Sequence, residues 1–264
     1  MKKTGFTLTE VIITLGIIGI VAALVAPSLI QSGQNEANAA RLATTVSNME
    51  NAFSAALAQE HTDSLYDTAM WANTGTSTAF YGELNRYLKL SGIKQNIANY
   101  NIQSYSGEDA GDDYSQANGV VNNHYAYETK NGALIFISPT VLEVPDNNIN
   151  SVRQSGGALL EGAGNVIIDT NGEAGPNMIG RDIFRFCLSS DGVLYPYGSR
   201  DVTLFDNGNG VSAATANPAT WDRPGQNSNI GCNTNNNGSI SVGGNGEGCT
   251  ARVVANGFKI DYIK

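Results

Sequence analysis

Histidine and cysteine are scarce in this 264-residue chain, with two and three copies, and charged side chains make up only 15 % of it. The short motifs behind most familiar catalysis are missing too. There is no phosphate-cradling glycine loop ending in Lys-Ser/Thr, no His-Glu-x-x-His, no Cys-x-x-Cys and no Gly-x-Ser-x-Gly elbow. The chain is therefore expected not to be an enzyme. Glu108, Asp109, Asp112 and Asp113 form its densest acidic run, which reads as a solvated loop. Basic residues number 15 against 24 acidic ones, for a net charge of −9, and no basic cluster carries interleaved aromatics. A polyanionic surface repels nucleic acid, so that partner is disfavoured. No internal repeat is evident.

What the chain does have is concentrated in its first thirty residues. Met1-Lys2-Lys3-Thr4-Gly5 runs into Phe6-Thr7-Leu8-Thr9-Glu10 and then into an apolar stretch ending at Ile30. Phe6 to Ile30 is about 25 residues, or roughly 37 Å if helical, enough to span a bilayer with some tilt. Lys2 and Lys3 lie on the side that basic residues keep in the cytoplasm, which places the rest of the chain outside. Glu10 is the exception in this stretch, because a charge held in hydrocarbon costs about 3 kcal/mol or more. It calls for a positive partner. Two other readings of the stretch are an ordinary secretory signal, with Ala22-Ala23-Leu24-Val25-Ala26 as its cleavage region, and an unprocessed anchor. The signal reading has to accommodate a glutamate in its core, and the anchor leaves Glu10 without a partner.

The string Gly5-Phe6-Thr7-Leu8-Thr9-Glu10, followed by Val11-Ile12-Ile13-Thr14-Leu15-Gly16-Ile17-Ile18-Gly19-Ile20, resembles the N-terminus of type IV pilins and of the pseudopilins of type II secretion. The resemblance covers the N-terminal helix only. It implies that prepilin peptidase cuts after Gly5, that the new amino terminus on Phe6 is methylated, and that Glu10 is the acidic residue used in assembly. It also implies that Pro27, inside the helix, marks a bend. An internal proline removes one hydrogen bond of the ladder and usually tilts the axis. Gly16, Gly19, Ala22, Ala23 and Ala26 are small enough to let neighbouring membrane helices approach closely.

Beyond Pro27 the helical pattern continues with an apolar stripe of Leu42, Val46, Met49, Phe53 and Leu57, while Gln34, Asn38, Arg41, Asn48 and Glu50 fall on the other faces. The expected organisation is a leader at 1–5, a membrane and assembly helix at 6–30, the amphipathic half of the same helix at 31–59, and a globular head at 60–264. Within the head a short helix is expected near Phe80 to Leu90. A hairpin is expected where Lys130-Asn131-Gly132 joins Tyr125–Glu128 to Ala133–Ile137. Further strands are read at Val166–Ile168, Ile183–Leu188 and Val193–Tyr195, a short helix at Cys249 to Asn256, and a closing strand through Phe258, Ile260 and Tyr262. The Asn/Gly-rich stretch 207–248 reads as loop. The fold class is α+β, with one long helix, transmembrane in one half and amphipathic in the other, packed on an antiparallel sheet as in pilins.

Cys232 and Cys249 flank an irregular stretch that a disulfide could staple outside the cytosol. The pilin resemblance, in which a C-terminal pair plays this part, implies that pairing over one with Cys187. Cys187 is then expected to be a buried free thiol. A second constellation is polar: Asp169, Asn171, Glu173 and Asp182 are interspersed with Gly172, Gly175 and Gly180, and oxygen side chains at such intervals suit a hard cation. In secreted pilin-like proteins a loop of this kind holds Ca²⁺, and the resemblance extends that expectation here. The alternative is that Asp169 and Asn171 make side-chain turns while Asp182 caps or pairs locally.

The expected function is a structural subunit of a type IV pilus-like or type II secretion filament. Its partners would be prepilin peptidase, an inner-membrane assembly platform and other copies of itself. It would reside in the inner membrane, N-terminus cytoplasmic, before joining a surface filament. The alternative is a minor or tip subunit whose head binds a surface or a secretion substrate, with Trp71, Tyr197 and Trp221 as candidate contacts.

Overall fold

A computed structural model of the chain describes residues 7–72, 77–94, 100, 102–103, 126–137, 151–153, 159–160, 162–175, 177–196, 202–203, 232, 246 and 248–262. A single helix, α1 (Leu8–Glu60), dominates the architecture and passes through Pro27 without interruption. Its 53 residues make it about 80 Å long. It starts on a capping box and stops at His61, which adopts a left-handed conformation (φ 55°) and donates its N–H to Leu57. Two short helices follow, α2 (Ala69–Ala72) and α3 (Ser77–Leu88).

The strands are β1 (Gly92–Lys94), β2 (Ala126–Glu128), β3 (Leu134–Ile137), β4 (Ser151–Arg153), β5 (Leu159–Leu160), β6 (Gly162–Asp169), β7 (Ile183–Ser189), β8 (Leu194–Pro196) and β9 (Val202–Thr203), and α4 (Cys249–Ala255) comes last. Six of the strands form an antiparallel sheet in the order β1-β2-β3-β6-β7-β8. A separate three-stranded sheet, β5-β4-β9, was not anticipated. The expected hairpin is β2–β3, with Tyr127 opposite Ile135 and Gly132 at the turn. The expected pairing of Ile183–Leu188 with Val193–Tyr195 is β7–β8. The segment through Phe258, Ile260 and Tyr262 is not a strand but irregular chain. Tyr262 is buried there, its hydroxyl donating to the Gly180 carbonyl, which spends its polar end on a turn instead of a sheet ladder.

Two-residue alternation explains which side chains meet α1. Tyr127, Ile135, Ile137, Val166, Ile168, Phe184, Phe186 and Leu188 share a core with Leu42, Val46, Met49 and Phe53 of the helix. The intervening residues Ala126, Leu134, Phe136, Ile167 and Ile183 face the other way and join Tyr100, Ile102 and Ile179 in a second, smaller core. Both faces of the sheet are therefore covered. Trp71 lies at an edge-on angle between Phe53 and Phe80, with centroids at 6.0 and 5.5 Å, and is only 5 % exposed. It is a core residue, not a contact residue of a binding loop; Tyr197 and Trp221 lie outside the described residues.

Burial along α1 begins at Asn35 and recurs at three- and four-residue steps to Ala56. Asn38 and Glu50, expected on exposed faces, are drawn inward because turns of the sheet offer them hydrogen bonds. Asn38 donates to the Arg181 carbonyl (3.4 Å), Arg41 to that of Thr170 (3.4 Å), Thr45 accepts from Asn131 (3.3 Å), and Glu50 accepts from the Leu194 amide (3.2 Å). The contacts fall on three places along the sheet: the β6–β7 connection takes Asn38 and Arg41, the β2–β3 turn takes Thr45, and the start of β8 takes Glu50. These bonds fix the helix in register on the sheet, which apolar contact alone does not do. Gly192 is required next to the last of these places: its φ is +85°, and a Cβ there would stand 2.8 Å from Phe53 Cβ.

Candidate functional site

The inner half of α1 is built by its sequence alone. Among the described residues it is the one helix long and apolar enough to cross a membrane, and residues 7–30 are exposed throughout. Leu8 is 78 % and Leu24 74 % exposed, so nothing in the head covers this surface. An added Cβ at Gly16 or Gly19 would meet nothing within 4 Å, leaving room for a neighbouring helix. The polar side chains are satisfied within the helix: Thr14 donates to the Glu10 and Val11 carbonyls at 2.9 Å, and Ser28 to the Val25 carbonyl at 2.9 Å. That suits a surrounding without water.

Glu10 is held at the first turn. Its Oε2 accepts from the Thr7 amide at 2.8 Å and from the Thr7 hydroxyl at 2.7 Å, and the Glu10 amide donates to Thr7 Oγ1 at 3.3 Å. This reciprocal capping box has a sequence signal, the Thr-x-x-Glu spacing of Thr7 and Glu10, which the apolar run beside it overshadows. It leaves the carboxylate satisfied at the first turn of the helix. Gly5 and Phe6 lie outside the described residues.

The four residues read as calcium donors are brought together only in part. Asp169 is fully buried at the end of β6; its Oδ1 accepts from the Asn171 and Gly172 amides, both at 3.0 Å, and its Oδ2 from the Tyr100 hydroxyl at 2.6 Å. Asp182 accepts from the Met178 amide and, at 3.0 Å, from Asn171 Nδ2. Glu173 turns away to an exposed ion pair with Lys94. Every carboxylate oxygen of the buried pair therefore has a protein donor, and among the described residues no group of three or more His, Cys, Asp or Glu side chains is placed to hold a metal. Asp169 makes a side-chain turn with the amides of Asn171 and Gly172. Tyr100, the phenol that covers Asp169, carries no signal in its sequence neighbourhood.

Burial raises both buried acids. Asp169 is pushed up to about 8, against the counter-effect of its Tyr100 and backbone hydrogen bonds, and the Asp182 charge adds to the rise. Asp182 is raised for the same reason, burial, offset by the Met178 amide. Tyr100 is raised well above its ordinary value by burial and by the neighbouring Asp169.

Beside the same loop, where Gly180 lies against Cys249, Cys232 and Cys249 are disulfide-bonded, with Cα atoms 4.7 Å apart. Cys249 opens α4, and Arg252 on the same helix donates to the Cys232 carbonyl at 3.1 Å and pairs with Asp261 at 3.1 Å. Thr250 accepts from the Arg185 amide at 3.1 Å, which docks α4 on β7. Cys187 sits on β7 opposite Tyr195; its side chain is outside the described residues.

With this geometry in place, the class of the protein follows. It is a membrane-capable α+β protein whose long N-terminal helix runs into a sheet-based head. Residues 1–26 match the family model of the prokaryotic N-terminal methylation motif, which supports the type IV pilin and pseudopilin family. No curated protein and no solved structure matches the chain significantly.

Proposed function

We propose that this chain is a structural subunit of a type IV pilus-like or type II secretion filament, processed by prepilin peptidase after Gly5 and methylated on Phe6. The observation that carries this reading is one helix with two fates: one face of residues 35–56 is buried against the head, and residues 7–30 are largely apolar and wholly uncovered. A lipid bilayer covers the uncovered half before assembly; the same halves of neighbouring subunits cover it afterwards. Lys2 and Lys3 hold the leader in the cytoplasm, so the head faces outward. An inner-membrane assembly platform would be needed to draw such a helix out of lipid.

Glu10 then serves assembly. In the filament its carboxylate pairs with the amino group of Phe6 on an adjacent subunit, and each group removes the cost of leaving the other alone in a low-dielectric core. Pro27 bends the helix, or lets it loosen, where the membrane half meets the outer half. The test is Glu10→Val. Insertion and cleavage should persist while incorporation into sheared filaments is lost; normal filaments from this variant would refute the pairing. The amount of the chain in such filaments separates a main subunit from a minor or tip one, the latter appearing in trace quantity.

A further inference from the structure

The apolar run of α1 ends at Ile30, and the head first buries the helix at Asn35. A groove opens where the two meet, about 670 Å³ in volume, within the range of about 300–1,000 Å³ that small ligands occupy. One wall is α1 over residues 32–43, kept low by Ala39, Ala40 and Ala43, and the other is the segment 257–261. The end of α4 fixes this second wall. The Gly257 amide donates to the Val254 carbonyl at 3.0 Å and the Phe258 amide to that of Val253 at 2.8 Å, the paired bonds of a Schellman cap. Phe258 and Lys259 are thus held in place beside the helix.

The groove carries one charge of each sign with nothing to answer it. Glu36 and Lys259 both line it, yet they do not pair with each other, and among the described residues neither has another ion-pair or hydrogen-bond partner. Asp261, also at the groove, is taken by Arg252 at 3.1 Å and by Asn256 at 3.2 Å. A complementary ligand therefore has an anion and a cation close together. Depth selects among such ligands. Ser32 lies about 3 Å and Glu36 about 9 Å beyond Ile30 along the helix, and the polar layer of a bilayer is about 5–7 Å thick on each side of the hydrocarbon. A helical side chain leans toward the N-terminus of its helix, which carries the Glu36 carboxylate back toward that layer. The net charge of −9 repels an anionic surface, so a zwitterionic lipid is favoured.

We propose that this groove is a headgroup site for phosphatidylethanolamine of the bilayer that holds residues 7–30, which rests on the membrane reading above. Lys259 takes the phosphate and Glu36 the ammonium, whose N–H groups make charge-assisted hydrogen bonds that the quaternary ammonium of phosphatidylcholine cannot. The Phe258 ring gives the lipid's glycerol end an apolar flank. The bound headgroup holds the head against the membrane surface until the subunit is drawn into a filament.

The test reconstitutes the full chain in vesicles of phosphatidylcholine alone, or mixed with equal parts of phosphatidylethanolamine or phosphatidylglycerol. Flotation with the vesicles checks the membrane reading separately. A water-soluble amine reagent then labels exposed lysines, and peptide mass spectrometry reads Lys259 against Lys130, an exposed lysine on the β2–β3 turn. Both belong to the same head, so reagent consumed by lipid amines cancels. Relative to Lys130, Lys259 should react about tenfold more slowly with phosphatidylethanolamine present than in the other two vesicles, the factor that about one charge-assisted hydrogen bond supplies. Glu36→Gln, folded by circular dichroism, should lose that difference; a difference that persists would overturn the proposal. Were the variant not to fold, the wild-type comparison decides alone. A chain that floats but shows the same ratio in all three vesicles would overturn the headgroup site and leave the membrane reading standing, whereas a chain that does not float would overturn both. Strongest protection with phosphatidylglycerol would mean plain attraction of Lys259 to negative charge, and protection that follows the amount of chain per vesicle would mean a second copy in the groove. Either result also overturns the proposal.

Discussion

Asp169 makes the head more stable in mild acid than in mild alkali, and the effect can be worked out from its surroundings. The carboxyl group is fully buried, and its folded-state value is raised from 3.8 to about 8. In an unfolded chain it titrates near its ordinary value. Between about pH 4 and about pH 8 the folded form thus holds a proton that the unfolded form has released. The unfolded state binds fewer protons, so stability falls as pH rises through this window. At about 1.4 kcal/mol per pH unit, the whole interval is worth on the order of 5 kcal/mol. Asp182, raised in the same direction, adds to the slope. Thermal or urea unfolding of the full chain in detergent across that window is the assay. Asp169→Asn should flatten the curve, because an asparagine oxygen can still accept from the Asn171 and Gly172 amides while its Nδ2 faces Tyr100. A midpoint that stays level or climbs toward about pH 8 in the wild type would refute the reasoning.

Other outcomes follow from the packing. Phe53→Ala empties the junction of α1, Trp71 and the sheet and should cost about 3–5 kcal/mol in urea unfolding, without altering membrane insertion. Replacing Cys232 and Cys249 together by serine removes a link across a sequence separation of 17 and should cost about 3 kcal/mol, seen as the same loss when the wild type is unfolded under reducing conditions. Gly192→Ala combines a left-handed backbone with a contact against Phe53 and should cost about 2 kcal/mol or more, measured by the same unfolding curve.

Much of the architecture was legible because it rests on local periodicity. The stripe from Leu42 to Leu57 is a helix face whichever head it meets, and Lys130-Asn131-Gly132 is a turn because Gly132 can adopt φ +84° where other residues resist. Misreadings arose where a distant partner overrode local character. Tyr262 continues an alternating pattern that would suit a strand, yet its hydroxyl goes to Gly180, 82 residues away in the chain. Trp71 has the sequence surroundings of a loop aromatic, but Phe53 and Phe80 close around it. Asn38 and Glu50 are polar, and polarity alone places a residue outside; only the turns at Arg181 and Leu194 could draw them in.

The amino-acid sequence by itself determined the N-terminal half of the long helix: its length, its apolar surface, the acid at Glu10 and the motif around Gly5, because a single helix satisfies its own backbone and needs nothing from the rest of the chain. The polar turn at Asp169 was decided only in three dimensions. Its composition fits a cation loop and a set of side-chain turns equally well. Only the paired strands bring Tyr100 and the amides of Asn171, Gly172 and Met178 onto the two carboxyl groups.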